Sequence, residues 1–384
     1  VSGTHSGERF SDVAQLFDGR RLTLARHLAG YRKNGLAEAI GKTPTSVAAY
    51  ETGAKRPAPA TVAQLALALG VPAEFFLPGL EAPPTTPHFR SLRSTSQVVR
   101  DQAGAYGRLA AGVATALQRH VEFPPLELPR WPVAEDGDCG TQPEEAARCL
   151  RREWSVPAGP FGHAVRATEN HGIIVVFGTQ ESSSVDAYSF ESSARPLIVL
   201  NPLKDDYFRQ RFDVAHELGH LVMHAEAEPG SRIVEEQAHR FAAELLMPAG
   251  EIAGLLPARA DWTKFALLKE QWGVSMQSLL FRSRRLGVMS EATYKNAMTS
   301  VSARGWRRRE PGPRVAVEQP SLLPATVELL GAHGVEASAL AAEARAPMVL
   351  FNCITSRTPQ AQAAVESESG ERRPLSLLRA EGGK

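Results

Sequence analysis

The sequence predicts a multidomain chain: an all-α domain of helix-turn-helix type, then an α+β domain, then a helical C-terminal region. Three observations predict it. Residues 21–80 read as short amphipathic helices joined by tight turns. β-rich runs between Gly172 and Pro202 lead into one long helix bearing His216, His220 and His224. Beyond residue 260 helical periodicity returns and runs to about residue 355.

The chain has 384 residues, more than one ordinary core accommodates. Its 22% charged and 43% hydrophobic residues are a normal globular balance. A net charge of +1 excludes a global basic field, so any DNA contact must come from a local patch. Cys139, Cys149 and Cys353 are odd in number and lack ligand-like spacing, so they read as free thiols in a reducing compartment. There is no apolar run near the roughly 20 residues of a membrane helix, and no signal-peptide core, which implies a cytoplasmic protein without a membrane partner. The expected division is an extension (1–20), the helix-turn-helix domain (21–80), a linker and helical connection (81–155), the α+β domain (156–260), a helical subdomain (261–312), a C-terminal helical region (313–355) and a disordered tail (356–384).

In the first domain, "RLTLARHLAGY" places Leu24, Leu28 and Tyr31 at helical spacing, and "GLAEAIGK" is a short helix stopped by Gly41. "TPTSVAAYETG" offers Thr43 as N-cap, Pro44 at the first helical position and Gly53 as the stop. "PATVAQLALALG" ends at Gly70, and "PAEFF" makes a last turn. These residues, notably Leu36-Ala37, Ile40-Gly41, Tyr50-Glu51, Gly53 and Arg56-Pro57, resemble the XRE (Cro/repressor-like) helix-turn-helix family. The resemblance implies DNA as a partner and a recognition helix over Thr43–Thr52. Thr45, Ser46 and Ala49 would then face base edges, with Lys42, Thr43, Lys55 and Arg56 at the same surface, the three cations suited to phosphates. The competing reading is a bundle that contacts protein. The recognition face lacks the Gln, Asn or Arg of bidentate base contacts, which points to weak sequence reading.

The stretch 81–97 is a Pro- and Thr-rich linker, and 98–121 reads as a helix that can pack on either neighbour. After the irregular "FPPLELPRWPVAEDGDCGTQP", helical period returns in "EEAARCLRREWSV". "GIIVVFG", "VDAYSF" and "RPLIVLNP" read as strands, followed by a helix from about Asp205 to Ala225.

That helix holds H-E-x-x-H as "HELGH". Residues four apart share a helix face, so His216 and His220 can reach one ion, with Glu217 beside them as general base. Zinc suits two imidazoles, a third protein ligand and an open position. Phe208, Phe212, Ala215, Gly219 and Val222 describe the buried face, and Gly219 marks the close approach of another segment. His224 lies two turns from His216, too far for one tetrahedral ion to take all three histidines comfortably. Glu226 stands where a metzincin would place its third ligand, but Met223 replaces the glycine of that motif. A better third ligand is Glu235 on the next helix, "IVEEQAHRFAAELLMP", sharing a face with Ala238 and Ala242 while Glu236 points about 100° away. Asp186, Tyr188 and Asp213 are further candidate partners of the site.

The run "RFDVAHELGHLVMH…EEQAHRFAAELLMP" resembles the ImmA/IrrE family of zinc metallopeptidases, with similarity from Pro157 to about Pro311. The resemblance implies a zincin-like fold, Zn2+ on His216, His220 and Glu235, and Glu217 as the catalytic base. It further implies cleavage of a repressor-type protein in a bacterial stress or mobile-element response. His239 stands where the family commonly has Asn, a competing ligand. A homodimer is compatible with the sequence. The rival readings are a proteolytically inactive, zinc-stapled XRE-type regulator and an antitoxin.

Residues 262–295 form two helices around the turn "WGVS", with Trp262, Leu268, Trp272, Leu279 and Leu286 as core, favoured over a second DNA reader. "RGWRRRE", Arg304 to Glu310, reads as a solvated basic face. "SLLPATVELLGAHG" and "EASALAAEARAP" read as helices before the apolar "MVLFN".

Overall fold

Capping side chains set the helix boundaries of the N-terminal domain. Asp18 accepts from the Arg20 amide and starts α1, Gly19–Leu28. Helix α2, Lys33–Ala39, leads by a short turn to α3, Pro44–Glu51, where Thr43 accepts from the Ser46 amide and Pro44 fixes the first φ. Helix α4, Pro59–Leu69, stops at Gly70 in the left-handed region, and a 3-10 turn over Ala73–Phe76 closes the domain. The expected recognition helix is α3 with its two caps. The computed structural model describes residues 10–79, 88–89, 96–134, 140–179, 187–192, 194–225 and 231–359. Cys139, Asp186, Glu226 and nearly all of the expected tail lie outside these residues, while Cys149 is half-buried and Cys353 buried.

A four-stranded mixed sheet lies at the centre. It comprises β1 (His88–Phe89), β2 (Ile174–Phe177), β3 (Ala187–Phe190) and β4 (Leu197–Leu200), in the order β1-β3-β4-β2. Strand β4 runs antiparallel to β3 and parallel to β2. Strand β1 falls inside the expected linker and pairs antiparallel with β3, His88 opposite Ser189. Alternation along the strands separates two cores. Ile174, Val176, Tyr188, Phe190, Leu197 and Val199 belong to one, and Val175, Phe177, Ala187, Ile198 and Leu200 to the other.

The first core is shared between the sheet and the helix-turn-helix domain through α5, Gln97–Leu117. Tyr106 donates to the Phe177 carbonyl at 2.8 Å, and Tyr188 donates to the Ala103 carbonyl at 2.6 Å, clamping α5 to the sheet. Gly107 permits the close approach, because a Cβ there would stand 2.3 Å from the Phe190 ring. On its other side α5 meets α1, where His27 lies 3.8 Å from Asp101. The helix expected to pack on either neighbour packs on both.

The second core is built on α8, Tyr207–Met223, shorter at both ends than expected because Asp206 caps it and His224 ends it. Helix α6, Gln142–Glu153, and α9, Arg232–Leu246, pack against it, with α7, Ala164–Asn170, at its start. Fourteen residues of α8 are buried, so the helix is enclosed on nearly all sides rather than along one stripe. A Cβ on Gly219 would sit 3.0 Å from the Phe241 ring of α9, which is the close approach its sequence position predicts.

The one-turn α10, Ala249–Ile252, leads to α11, Trp262–Trp272, α12, Met276–Arg285, and α13, Glu291–Ala303. Leu268, Trp272 and Leu279 are buried as expected, whereas Trp262 and Leu286 are only half-buried. Glu310, at the end of the basic run, is not solvated: it accepts from the Met276 and Gln277 amides and pairs with Lys269 at 3.1 Å. The N-terminus of α12 is therefore occupied by a carboxylate, which argues against a second DNA reader. Further on, Glu318 binds buried Arg211 at 2.7 Å, and Glu169 accepts from the Ser321 and Leu322 amides at the start of α14, Leu322–Ala332. Helices α14, α15 (Ala337–Glu343) and α16 (Met348–Ile354) then pack on α5, and Arg21 of α1 donates to the Arg345 carbonyl at 2.6 Å. Both cores cross the domain limits expected from the motifs. No described helix is long and apolar enough to cross a membrane.

Candidate metal centre

His216 and His220 stand one turn apart on the buried face of α8, with Nε2 atoms 3.1 Å from each other. Glu235, in the first turn of α9, brings its carboxylate oxygens to 3.3 Å from His216 Nε2 and 3.6 Å from His220 Nε2. One donor atom from each residue lies within 4.8 Å of the others. Two imidazoles and a carboxylate leaving a fourth position are the donor set of a hydrolytic zinc site.

Hydrogen-bond logic fixes how one of these donors is presented. The Gln237 amide donates to the Ala134 carbonyl at 2.7 Å, which turns Oε1 toward His224 Nε2 at 2.8 Å. An acceptor there makes that nitrogen the donor, leaving His224 Nδ1 with a lone pair. His220 Nδ1, 3.1 Å away, then donates to it, and the lone pair of His220 falls on Nε2, facing His216 and Glu235. The tautomer is the one a metal ligand needs. His224 thus supports the site from behind. Glu217 is buried, and its Oε2 accepts from Ser189 Oγ at 2.7 Å.

The other sequence candidates lie elsewhere. Tyr188 points to the opposite face of the sheet, because alternation along β3 sends Ser189, not Tyr188, toward α8. Asp213 is held by Lys204 at 2.5 Å on the wall of an adjoining cleft. Glu236 turns toward Arg285, 3.8 Å away. His239 brings its ring centroid to 4.9 Å from that of His216, but its Nδ1 faces the Glu235 carbonyl and its nitrogens lie outside the donor cluster. The cleft, about 650 Å³, opens onto Glu235 and His239.

Residues 168–284, which contain all of these donors, match the model of the IrrE N-terminal-like domain, peptidase family M78, and residues 19–74 match that of a helix-turn-helix domain. The chain carries an IrrE N-terminal-like domain. It follows the helix-turn-helix domain in the order the sequence predicts, so a DNA-binding domain is joined to a peptidase-like one. No curated protein matches the chain significantly. The IrrE N-terminal-like match begins within α7 and ends in α12, so it takes in the sheet strands β2 to β4, both metal-site helices and most of the cleft.

In the helix-turn-helix domain, Lys42, Thr43, Thr45, Lys55 and Arg56 are exposed and Ser46 and Ala49 half-exposed, whereas Val47 and Tyr50 of the same segment are buried. Glu51 is drawn away from this surface by Arg26 at 2.6 Å and Lys33 at 3.3 Å. Sequence reasoning missed Ser189 and Gln237. Ser189 lies one residue from a candidate that was named, and strand alternation was the available signal.

Proposed function

We propose that the chain is a zinc-dependent endopeptidase that acts on a protein substrate, a repressor-type regulator, near the DNA it binds. The observation that carries this reading is the convergence of His216, His220 and Glu235, with Glu217 next to His216 on the same buried helix and Glu235 on the wall of an open cleft. Three converging protein donors among the described residues, rather than four, favour an open catalytic position over a structural staple.

When bound, zinc supplies Lewis acidity to water and to a peptide carbonyl. The chain's own residues do the rest. Glu217 takes the proton of the attacking water and returns it to the leaving amine. Ser189 holds that carboxylate by donating to Oε2, while His224 and Gln237 hold His220 in its ligating tautomer. Lys42, Lys55 and Arg56 are assigned to phosphates, and Thr43, Thr45, Ser46 and Ala49 to the edge of the DNA groove. Binding an operator raises the local concentration of the peptidase near a repressor bound alongside.

The test is Glu217→Gln in the full chain, which keeps the shape of the side chain but accepts no proton. Turnover on a neighbouring regulator, followed by mass, should fall about 10²- to 10⁴-fold. Zinc content and operator affinity should stay the same. If wild type leaves every candidate regulator intact with zinc and operator present, the endopeptidase reading fails. Equal cleavage with and without operator removes the role of tethering.

A further inference from the structure

The cleft beside the metal centre has an unbalanced charge. Its walls carry Lys204, Arg209, Arg232 and Arg307 against Asp213, Glu235 and Glu236. Asp213 is matched by Lys204 at 2.5 Å, and Glu236 by Arg285 at 3.8 Å. Arg209 pairs with Asp206 at 3.3 Å and donates to the Arg307 carbonyl, fixing that backbone over α8. Glu235 is committed to the histidines. Arg232 and Arg307 remain on the wall, both exposed; among the described residues neither has an ion-pair partner, and Arg307 Nε donates to the Ser302 hydroxyl. The N-terminus of α12, which also reaches this wall, is not the anion site, because Glu310 already takes the Met276 and Gln277 amides.

We infer that this cleft selects a substrate segment carrying an acidic side chain next to the scissile bond, with Arg232 and Arg307 as the specificity-determining residues. The inference rests on the peptidase reading above and names the substrate class of that site. Arg232 precedes Glu235 by three residues, about 4.5 Å along α9. An extended peptide advances about 3.3 Å per residue, so a guanidinium there reaches an acid one to three residues from the bond at the metal. Guanidinium groups bind carboxylates through paired N–H donors, and a neighbouring cation strengthens that preference. Phe212 and Phe281 add apolar wall, which suits a polypeptide better than a nucleic acid strand.

The experiment uses the full-length Glu217→Gln protein loaded with zinc, so that binding is read without turnover. The probes are short, fluorescently labelled, C-terminally amidated peptides in which one Glu is walked through an uncharged sequence, each with its Gln twin. At one or two positions the Glu peptide should bind about 10-fold more tightly than its twin at low salt, and raised salt should erode the difference. Adding Arg232→Gln and Arg307→Gln, with zinc content unchanged, should abolish it. Equal binding of Glu and Gln peptides at every position overturns the inference, as does a preference that survives both arginine substitutions. A preference for free chain-terminal carboxylates alone, or equal competition by a single-stranded oligonucleotide, also overturns it. If the preference appears but wild type cleaves none of the peptides, the acid-selecting cleft stands and the hydrolytic reading falls.

Discussion

Replacing Gly219 by Ala sets two effects of similar size against each other. In a helix interior Ala is favoured over Gly by about 1 kcal/mol. The added Cβ, however, would stand 3.0 Å from Phe241 Cδ1, 3.2 Å from Cγ and 3.3 Å from Cβ. Carbon atoms rest at about 3.5–4.0 Å, so the contact must open by roughly half an ångström. Turning the Phe241 ring relieves the first distance but not the last, because its Cβ is fixed to the backbone of α9. The helix itself must retreat, at an overpacking cost of about 1–3 kcal/mol. The net expectation is a loss of stability between zero and about 2 kcal/mol. Metal affinity should suffer more visibly, since Gly219 adjoins His220 on one helix and α9 carries Glu235. Ligand positions matter at about 0.2 Å, and disturbing the support of a metal site costs about 10-fold or more in affinity. Urea unfolding of the zinc-free protein and a zinc competition titration against a chelator read the two quantities separately. A Gly219→Ala protein more stable than wild type by about 1 kcal/mol, with zinc affinity unchanged, would refute the packing argument.

Three other outcomes follow from the same structure. Glu235→Ala should lower zinc content and stability together, while Glu236→Ala should leave zinc bound; metal analysis showing the reverse would reassign the third ligand. Burial, and then the neighbouring Arg26, pull the His27 pKa below its ordinary 6.5, so the unfolded chain takes the proton first and stability falls as pH drops below about 6.5. His27→Gln should flatten that acid limb in urea midpoints measured between about pH 7 and 5.5, and an unchanged limb would exclude this histidine as its source. Arg56→Ala should weaken DNA binding evenly across sequences and reduce the salt slope by about one unit, whereas changes at Thr45 or Ser46 should alter which site is preferred. Failure of unbiased selection to return any preferred site would remove the sequence-reading role.

What was legible in the sequence was what a single helix or turn dictates. His216 and His220 are placed by helical periodicity alone, and Thr43 with Pro44 marks its helix start without tertiary help. Glu235 was within reach because two adjacent helices share a pattern. Gln237 was not, since it acts by meeting a residue 13 positions away through packing that no local period encodes; strand alternation turns Ser189 toward the helix but does not identify Glu217, 28 positions away, as its partner. Packing across the expected domain limits was illegible for a related reason. Motifs mark where functions sit, whereas the hydrophobic partners of α5 come from both ends of the chain.

The place of α5 has a further consequence for what cutting this chain would achieve. Leu22 and Ala25 of α1, Tyr106 and Leu109 of α5, and Phe351 of α16 belong to one buried cluster, and Arg21 ties α1 to the Arg345 carbonyl. A break anywhere in residues 80–95 would remove a covalent tether and leave this seam closed. The DNA-binding fragment would stay docked like one half of a split protein. Its departure would expose buried apolar surface at about 25 cal/mol per Å². Scission of the chain and release of the reader are therefore two separate events, and only the first is a matter of bond hydrolysis.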